Sequence, residues 1–309
     1  MKLNFRGLAF AFVGVLTFSF TLPMVKLALP AFSPWTLTFG RAAIAGLLAL
    51  GFLKFAKVPF PERKLLVPLL VTSGGIVVGW PILTTLALQE TTSAHAAVIT
   101  AGLPLATAIL AVFRLHEHVP KAFWAAALVG TLTLVVYALM RGGQEGGTLK
   151  TDLYLIGAVV AAAIGYAEGA ILTKLMPGWQ VVSWCVVLSL PVTLPYFAIS
   201  LWMGKDTHTI TAIPLLAFLF TAFGSMYFGF FAWYRGLAEL GVAKGSQVQL
   251  IQSLLTLLWS VLLLGEKVTG ATLVAASVVI VCVAITQKVR VVSQARVASQ
   301  ISDPKSELL

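Results

Sequence analysis

Two ionisable residues lie deep inside long apolar stretches, where a charge is costly unless it has a purpose. Arg41 lies roughly 9 Å below the start of the stretch 34–55, and Glu168 roughly 22 Å below the start of the stretch 153–175, at a helical rise of about 1.5 Å per residue. Ionisable groups at such depth in a membrane helix mark functional sites by default. Both are therefore candidate site residues.

Each of the two residues has a structural alternative. Arg41 stays charged and could hold a substrate carboxylate or phosphate with two hydrogen bonds, or it could pack between helices and donate to backbone carbonyls. Glu168 could carry a proton that couples transport to a gradient, because burial favours the neutral carboxyl; the alternative is a hydrogen-bonded structural carboxyl. Their different depths argue against a direct Arg41–Glu168 pair.

Polar residues also follow one face of two related stretches. Residues 94–119, shifted by 149 positions, lie on residues 243–268, with identities that include Thr107/Thr256 and Glu117/Glu266. Steps of three and four residues place each set of polar side chains on a single helix face. We expect these side chains to line a substrate cavity rather than face lipid: Thr100, Thr107, Gln249, Gln252 and Thr256. For the two glutamines, hydrogen bonds between helices are the alternative.

The dipeptide Trp80-Pro81 follows Gly74, Gly75 and Gly79. A proline inside a helix removes a backbone hydrogen bond, so the helix should deform here. Trp80 could then form an aromatic cavity wall and bind substrate, although ordinary plasticity of membrane helices would give the same pattern.

The composition indicates an integral membrane protein. Hydrophobic residues make up 59% of the chain and charged residues 10%, whereas soluble domains have about 25% charged residues. The net charge is +10, and the basic residues lie between apolar runs, so a membrane rather than nucleic acid explains the charge. The two cysteines and four histidines lack zinc spacing, and no phosphate-binding GxxxxGK[ST] motif occurs. We expect no metal, no cofactor and no ATP hydrolysis.

Ten apolar segments are long enough to cross a bilayer, which takes about 20 residues each. We predict spans at 5–27, 34–55, 65–88, 93–113, 121–140, 153–175, 180–203, 213–235, 244–264 and 270–288. The Gly-rich stretch 141–151 is the expected linker, so residues 1–140 and 152–289 form two five-helix repeats. Residues 290–309 are polar and are expected to form a disordered cytoplasmic tail.

The Lys and Arg residues indicate the orientation. With the N-terminus in the cytoplasm, 15 of them fall on cytoplasmic segments and five outside, which predicts that both termini are cytoplasmic and the linker is extracytoplasmic. Five spans per repeat is an odd number, so the second repeat must be inverted relative to the first. Inverted repeats are typical of secondary transporters that bind substrate near the membrane midplane. The alternatives are a channel and a membrane-embedded enzyme, although no catalytic motif supports the latter.

The chain resembles the EamA branch of the drug/metabolite transporter superfamily. The resemblance lies in Ala87-Leu88, Ser93-Ala94, Pro104 and Leu115-His116-Glu117, and in the second copy at Leu237-Ala238, Ala243 and Leu264-Gly265-Glu266. The spacing from Phe18 to Lys26 and the place of Arg41 also fit. Phe18-Ser19 and Ser253 depart from the usual Trp-Gly and Pro, which bears on the subfamily rather than on the fold. The resemblance implies an all-α, ten-helix transporter of small metabolites with a central cavity.

From these points we expect an exporter of a small metabolite, such as an amino acid or a related compound, working by alternating access. Its partners would be the small-molecule substrate and the lipid bilayer, with no nucleic acid. A homodimer is left open. The expected location is the inner (plasma) membrane of a bacterial-type cell.

Overall fold

The computed structural model describes residues 4–115, 117–142, 148–203, 210–264, 270–288 and 292–293, and within them the chain is almost entirely helical. The first half contains α1 Phe5–Ser19, α2 Thr21–Ala28, α3 Pro34–Phe55, α4 Arg63–Ser73, α5 Trp80–Glu90, α6 Ser93–Thr100, α7 Leu103–Leu115 and α8 Lys121–Gly142. The second half contains α9 Leu149–Leu172, α10 Gly178–Trp202, α11 Ala212–Phe220, α12 Gly229–Leu240, α13 Val242–Gln247, α14 Gln249–Leu264 and α15 Gly270–Lys288.

Local sequence signals set the helix starts. Ser33 caps α3 by accepting a hydrogen bond from the Thr36 amide, and Pro34 occupies the first turn, where its missing N–H costs nothing. Thr148 and Thr151 form a reciprocal capping box at the start of α9. The helices α8 and α9 therefore extend into the predicted linker from both sides, and residues 143–147 lie outside the described residues.

Several of the predicted spans are interrupted helices. Phe20 separates α1 from α2, Ala101 and Gly102 separate α6 from α7, and Val248 separates α13 from α14. Two wide π-helical turns join α4 to α5 at Gly74–Gly79 and α11 to α12 at Thr221–Phe228. The first π-helical segment precedes Pro81, as expected where a proline removes a backbone donor.

Seven helical segments in the described part of the chain are long and apolar enough to cross a membrane. They are Phe5–Ala28, Pro34–Phe55, Arg63–Glu90, Leu149–Leu172, Gly178–Trp202, Ala212–Leu240 and Val242–Leu263, and two shorter apolar helices lie at Leu103–Arg114 and Ser277–Thr286. The chain is thus an all-helical, multi-pass integral membrane protein. Ten spans in two inverted repeats stay a prediction.

The two halves are packed against each other rather than side by side. Helix α1 packs on α12, α3 on α10, α5 and the 74–79 segment on α9, α7 on α13, and α8 on α15. Glycines allow the closest of these approaches: a Cβ on Gly75 would lie 2.4 Å from the Ala161 carbonyl oxygen, and one on Gly165 would lie 2.6 Å from Ile76. The main core therefore lies between the halves.

A short antiparallel β pair joins two loops. Glu117 pairs with Ser293 and His118 with Val292. Val292 and Ser293 are the part of the predicted tail that falls within the described residues, and the rest of 290–309 lies outside them.

Candidate functional site

A small cavity of about 30 Å³ lies near the middle of the helices, between the two halves. In this conformation it has room for about two water molecules. Its walls are mostly apolar and aromatic, with a few polar groups. The lining residues are Phe18, Thr21, Leu22, Arg41, Ile76, Trp80, Pro81, Ala162, Tyr166, Ser225, Met226, Phe230 and Gln252.

The two halves contribute residues at equivalent positions. Ile76 and Ser225 are 149 positions apart, as are Pro81 and Phe230, and all four line the cavity. This is the same shift that superimposes the two polar stretches in the sequence. The cavity therefore lies where the two copies of the repeat face each other.

Arg41 is the charged residue of the cavity wall among the described residues. Its side chain is 2% exposed, and its Nε has no hydrogen-bond partner. No Asp or Glu is among the described lining residues. Because a buried guanidinium is strongly stabilised by an anion, this position can bind a carboxylate or another small anion. The role of Arg41 in holding a substrate stays a prediction.

Gln252 and Tyr166 add polar groups to the same walls. The Gln252 Oε1 atom is buried without a partner, so it can accept a hydrogen bond from a ligand. Gln249 is buried but is not among the described lining residues. Neither polar atom of the Gln249 side chain has a partner in hydrogen-bond geometry. Of the two predicted glutamines, Gln252 thus lines the cavity and Gln249 does not in this conformation.

Thr256 lies beside the break between α1 and α2 rather than on the cavity wall. Its hydroxyl donates to the Ser19 carbonyl at 2.9 Å, and the Trp259 indole N–H donates to the Ser19 hydroxyl at 2.8 Å. On the other side of the break, the Thr21 and Ser225 hydroxyls are 2.7 Å apart. Helix α14 and the π-helical segment Thr221–Phe228 therefore contact the interrupted helix on the two sides of its break.

Thr100 and Thr107 are buried and donate to carbonyls of their own helices, those of Ala96 and Leu103. In this conformation neither is among the described lining residues of the cavity, and the same holds for Gln249 and Thr256. A substrate contact for these four residues stays a prediction, whereas Arg41, Trp80 and Gln252 do meet at one cavity.

Glu168 lies away from the cavity wall, near the end of α9. Its carboxylate accepts a hydrogen bond from Arg114 Nε at 2.5 Å, and this ion pair joins the ends of α7 and α9. We call these two residues the Glu168 pair. As the sequence reasoning anticipated, Glu168 does not pair with Arg41 in the described contacts. Its proton-coupling role stays a prediction, and the ion pair suggests a different role.

A second group of charges joins the opposite ends of the same helices. His95 Nε2 lies 2.7 Å from Asp152, and Lys150 donates to Glu90 at 2.7 Å. We call these four residues the Lys150 cluster. Nearby, Lys26 donates to the carbonyls of Leu88 and Thr91 and so caps the end of α5. These contacts link the ends of α2 and α5 to the starts of α6 and α9.

The sequence reasoning missed Tyr166, Ser225 and Phe230 as wall residues. The 149-residue repeat could have indicated two of these residues, because Ser225 is equivalent to Ile76 and Phe230 is equivalent to Pro81. Ile76 and Ser225 lie in the two π-helical segments, and Pro81 and Phe230 lie in the helices that follow them. The sequence pattern could not show that these four residues line one cavity. Aromatic contacts then complete the wall, with Phe18 and Phe230 rings 4.8 Å apart.

Both halves of the chain match a known protein family. The model of the EamA-like transporter family matches the chain twice, at residues 5–139 and 149–287. The chain belongs to the EamA-like transporter family. A curated relative from Bacillus subtilis (strain 168), named "Uncharacterized transporter YdeK", is 42% identical over 285 residues, covering 92% of this chain and 98% of the relative. A solved crystal structure with 19% identity has a similar fold, with a TM-score of 0.72 over 93% of this chain and 99% of that one.

This EamA-family chain is therefore a transporter of the drug/metabolite superfamily, not an enzyme. The two family matches divide the chain between α8 and α9, where the sequence reasoning placed the linker.

Proposed function

We propose that the protein is a secondary transporter that exports a small metabolite, such as an amino acid or a related compound, across the cytoplasmic membrane by alternating access. In this proposal the chain forms ten spans in two inverted repeats, with both termini in the cytoplasm. The observation that carries it is the cavity at mid-helix depth, to which both halves contribute equivalent residues.

The helix pairing between the halves supports a two-fold relation. Counting the interrupted helices as single spans, the first span packs on the eighth, the second on the seventh, the third on the sixth, the fourth on the ninth and the fifth on the tenth. Exchanging the two repeats turns each of these pairs into another pair of the set or into itself. A two-fold axis through the cavity has this property.

The ion pairs support the inversion. Arg6 at the start of α1 lies 3.6 Å from Glu239 at the end of α12. At the other end of the first span, Lys26 contacts the end of α5, next to the Lys150 cluster at the start of α9. The first helices of the two repeats thus run in opposite directions. The 15-to-5 distribution of Lys and Arg supports a cytoplasmic start of α1.

The two groups of charges then lie at opposite mouths of the cavity. The Lys150 cluster is on the extracytoplasmic side and the Glu168 pair on the cytoplasmic side. A cavity of about 30 Å³ does not hold an amino acid, so helices must separate before such a solute can enter. We infer that the two groups of ion pairs break in turn as the cavity opens to each side.

Counterflow in proteoliposomes tests the proposal. Vesicles loaded with an unlabelled mixture of the twenty amino acids should accumulate the radiolabelled mixture from outside, and the exchange should saturate. Gln252→Leu, on the cavity wall, should slow the exchange, whereas Gln180→Leu, on α10 outside the wall, should not. Unsaturable flux would indicate a channel, and release of a chemically altered product would indicate an enzyme.

A further inference from the structure

Arg41 introduces one positive charge into a cavity that contains no opposite charge among its described lining residues. Its side chain is almost completely buried, and its Nε lacks a partner. An acidic side chain or bulk water could compensate this charge. The described wall contains no acidic side chain, and the cavity of about 30 Å³ admits little water. An uncompensated buried charge is expensive, so the site is electrostatically built for an anion.

The number of charges limits the kind of anion. One guanidinium matches one carboxylate in charge and in its forked geometry. A phosphate ester, which carries close to two negative charges at neutral pH, would leave one charge uncompensated in the same cavity. A polyamine or another organic cation would be repelled by Arg41. A single carboxylate is thus the group that the cavity fits best.

The remaining wall describes the rest of the ligand. Phe18, Trp80, Tyr166 and Phe230 offer aromatic surface, and the Gln252 Oε1 atom offers an unused acceptor. We propose that the cavity binds a small organic monocarboxylate through Arg41, with an apolar body against the rings and an N–H or O–H donor near Gln252. An amino acid and a hydroxy acid share this chemistry. The inference rests on the proposed function, since it names the substrate class of the same site.

The charge of the cavity can be measured without knowing the substrate. Ser225→Cys in a Cys185→Ala/Cys282→Ala background places one thiol on the wall. The ratio of its labelling rates with an anionic and a cationic methanethiosulfonate of similar size reports the local potential. This ratio cancels any change in how often the cavity opens. We expect Arg41→Gln to lower the ratio at least tenfold and Arg41→Lys to keep it. An unchanged ratio in Arg41→Gln would overturn the proposal.

Protection experiments test the carboxylate. A mixture of free amino acids and short hydroxy acids should slow labelling of Ser225→Cys by the anionic reagent, whereas the corresponding amides should not. Arg41→Lys should reduce this protection although the charge is retained, because an ammonium lacks the guanidinium fork. Equal protection by chloride or phosphate alone, or by the amides, would overturn the assignment. The absence of protection by the acids would also overturn it.

The two hypotheses fail separately. Labelling and protection measure equilibrium binding and need no net transport. Protection by acids together with absent counterflow would contradict the transporter proposal but leave the carboxylate site standing. Saturable counterflow that Arg41→Gln leaves unchanged would do the reverse.

Discussion

At the scale of single residues, the charged groups divide into two kinds. Arg41 lies in the cavity with an unpartnered Nε, whereas Glu168 pairs with Arg114 and Glu90 pairs with Lys150 at helix ends, and Asp152 contacts His95. A buried charge without a partner can serve a ligand, and a charge pair across two helices can serve as a contact that opens and closes.

Glu168→Gln tests the second role. The substitution removes the charge that Arg114 contacts but keeps the size of the side chain. We expect the protein to fold and the cytoplasmic mouth to open more readily, so that Ser225→Cys is labelled several times faster from the cytoplasmic side. The charge exchange Glu168→Arg/Arg114→Glu should restore the slower rate. If Glu168→Gln instead changes only the pH dependence of net transport, the carboxyl carries a proton rather than closing the mouth.

Gly169 tests how tightly the helices approach. A Cβ at this position would lie 2.1 Å from the Tyr234 hydroxyl, whereas a Cβ on Gly51 would meet nothing within 4 Å. Gly169→Ala should lower the free energy of unfolding by about 1–3 kcal/mol through overpacking. Gly51→Ala should be neutral or stabilising by up to about 1 kcal/mol, because alanine is the better helix former.

Thermal unfolding of the two variants in detergent, followed by size-exclusion chromatography, provides the comparison. Equal midpoints for Gly169→Ala and Gly51→Ala would mean that the ring of Tyr234 moves aside freely and that α9 and α12 are loosely packed.

Arg41, Trp80 and Gln252 could be predicted from the sequence as site residues because their types are conspicuous in an apolar helix, and all three line the cavity. The sequence could not identify Tyr166 or Phe230, because aromatic residues are common in membrane helices and only their position relative to the other half distinguishes them. The helical spacing of the polar residues predicts that Thr256 contacts substrate. In this conformation its hydroxyl donates to the Ser19 carbonyl at the break between α1 and α2, which the spacing could not show.

At the scale of elements, hydropathy predicted where helices lie but not where they are interrupted. The predicted stretch 34–55 coincides with α3, and each of the other predicted stretches falls on one helix or on consecutive helices. The breaks at Phe20 and Val248 and the π-helical turns have no signature in an averaged hydropathy, because averaging over a whole span hides a change that is confined to a few residues. The two π-helical segments nevertheless recur at matching positions of the repeat, so they belong to the architecture.

The Lys150 cluster allows a test of the mouth as an element. Glu90→Cys and Lys150→Cys lie at the end of α5 and the start of α9, and a short reducible bis-methanethiosulfonate should join them. We expect the cross-link to stop counterflow and a reducing agent to restore it. Glu62→Cys/Lys64→Cys, which lie in one exposed segment at the start of α4, should cross-link without any effect. Counterflow that continues after α5 and α9 are joined would show that the end of α5 and the start of α9 do not separate during transport.

At the scale of the whole molecule, alternating access between the two repeats depends on their inverted arrangement. Two consecutive repeats that each have the predicted five spans cross the membrane in opposite directions, because the first ends on the side opposite to its start. The contacts between helix ends agree with this prediction. In that case Gly143→Cys, between α8 and α9, should react with an impermeant thiol reagent in intact cells. Lys64→Cys should react only after permeabilisation. The opposite result for this pair would refute the predicted orientation.

Access to the cavity from both sides is the most direct test of alternating access. Ser225→Cys, in the background without other cysteines, should be labelled by an impermeant reagent from outside in intact cells and from the cytoplasmic side in inside-out vesicles. Joining Lys150 to Glu90 with a carbodiimide forms an amide between these paired side chains and leaves the Ser225→Cys thiol free. This cross-link should abolish the outside labelling and leave the cytoplasmic labelling intact, and Glu90→Gln should prevent the effect. Outside labelling that persists after the cross-link, or labelling from one side alone without it, would contradict a cavity that opens to the two sides in turn.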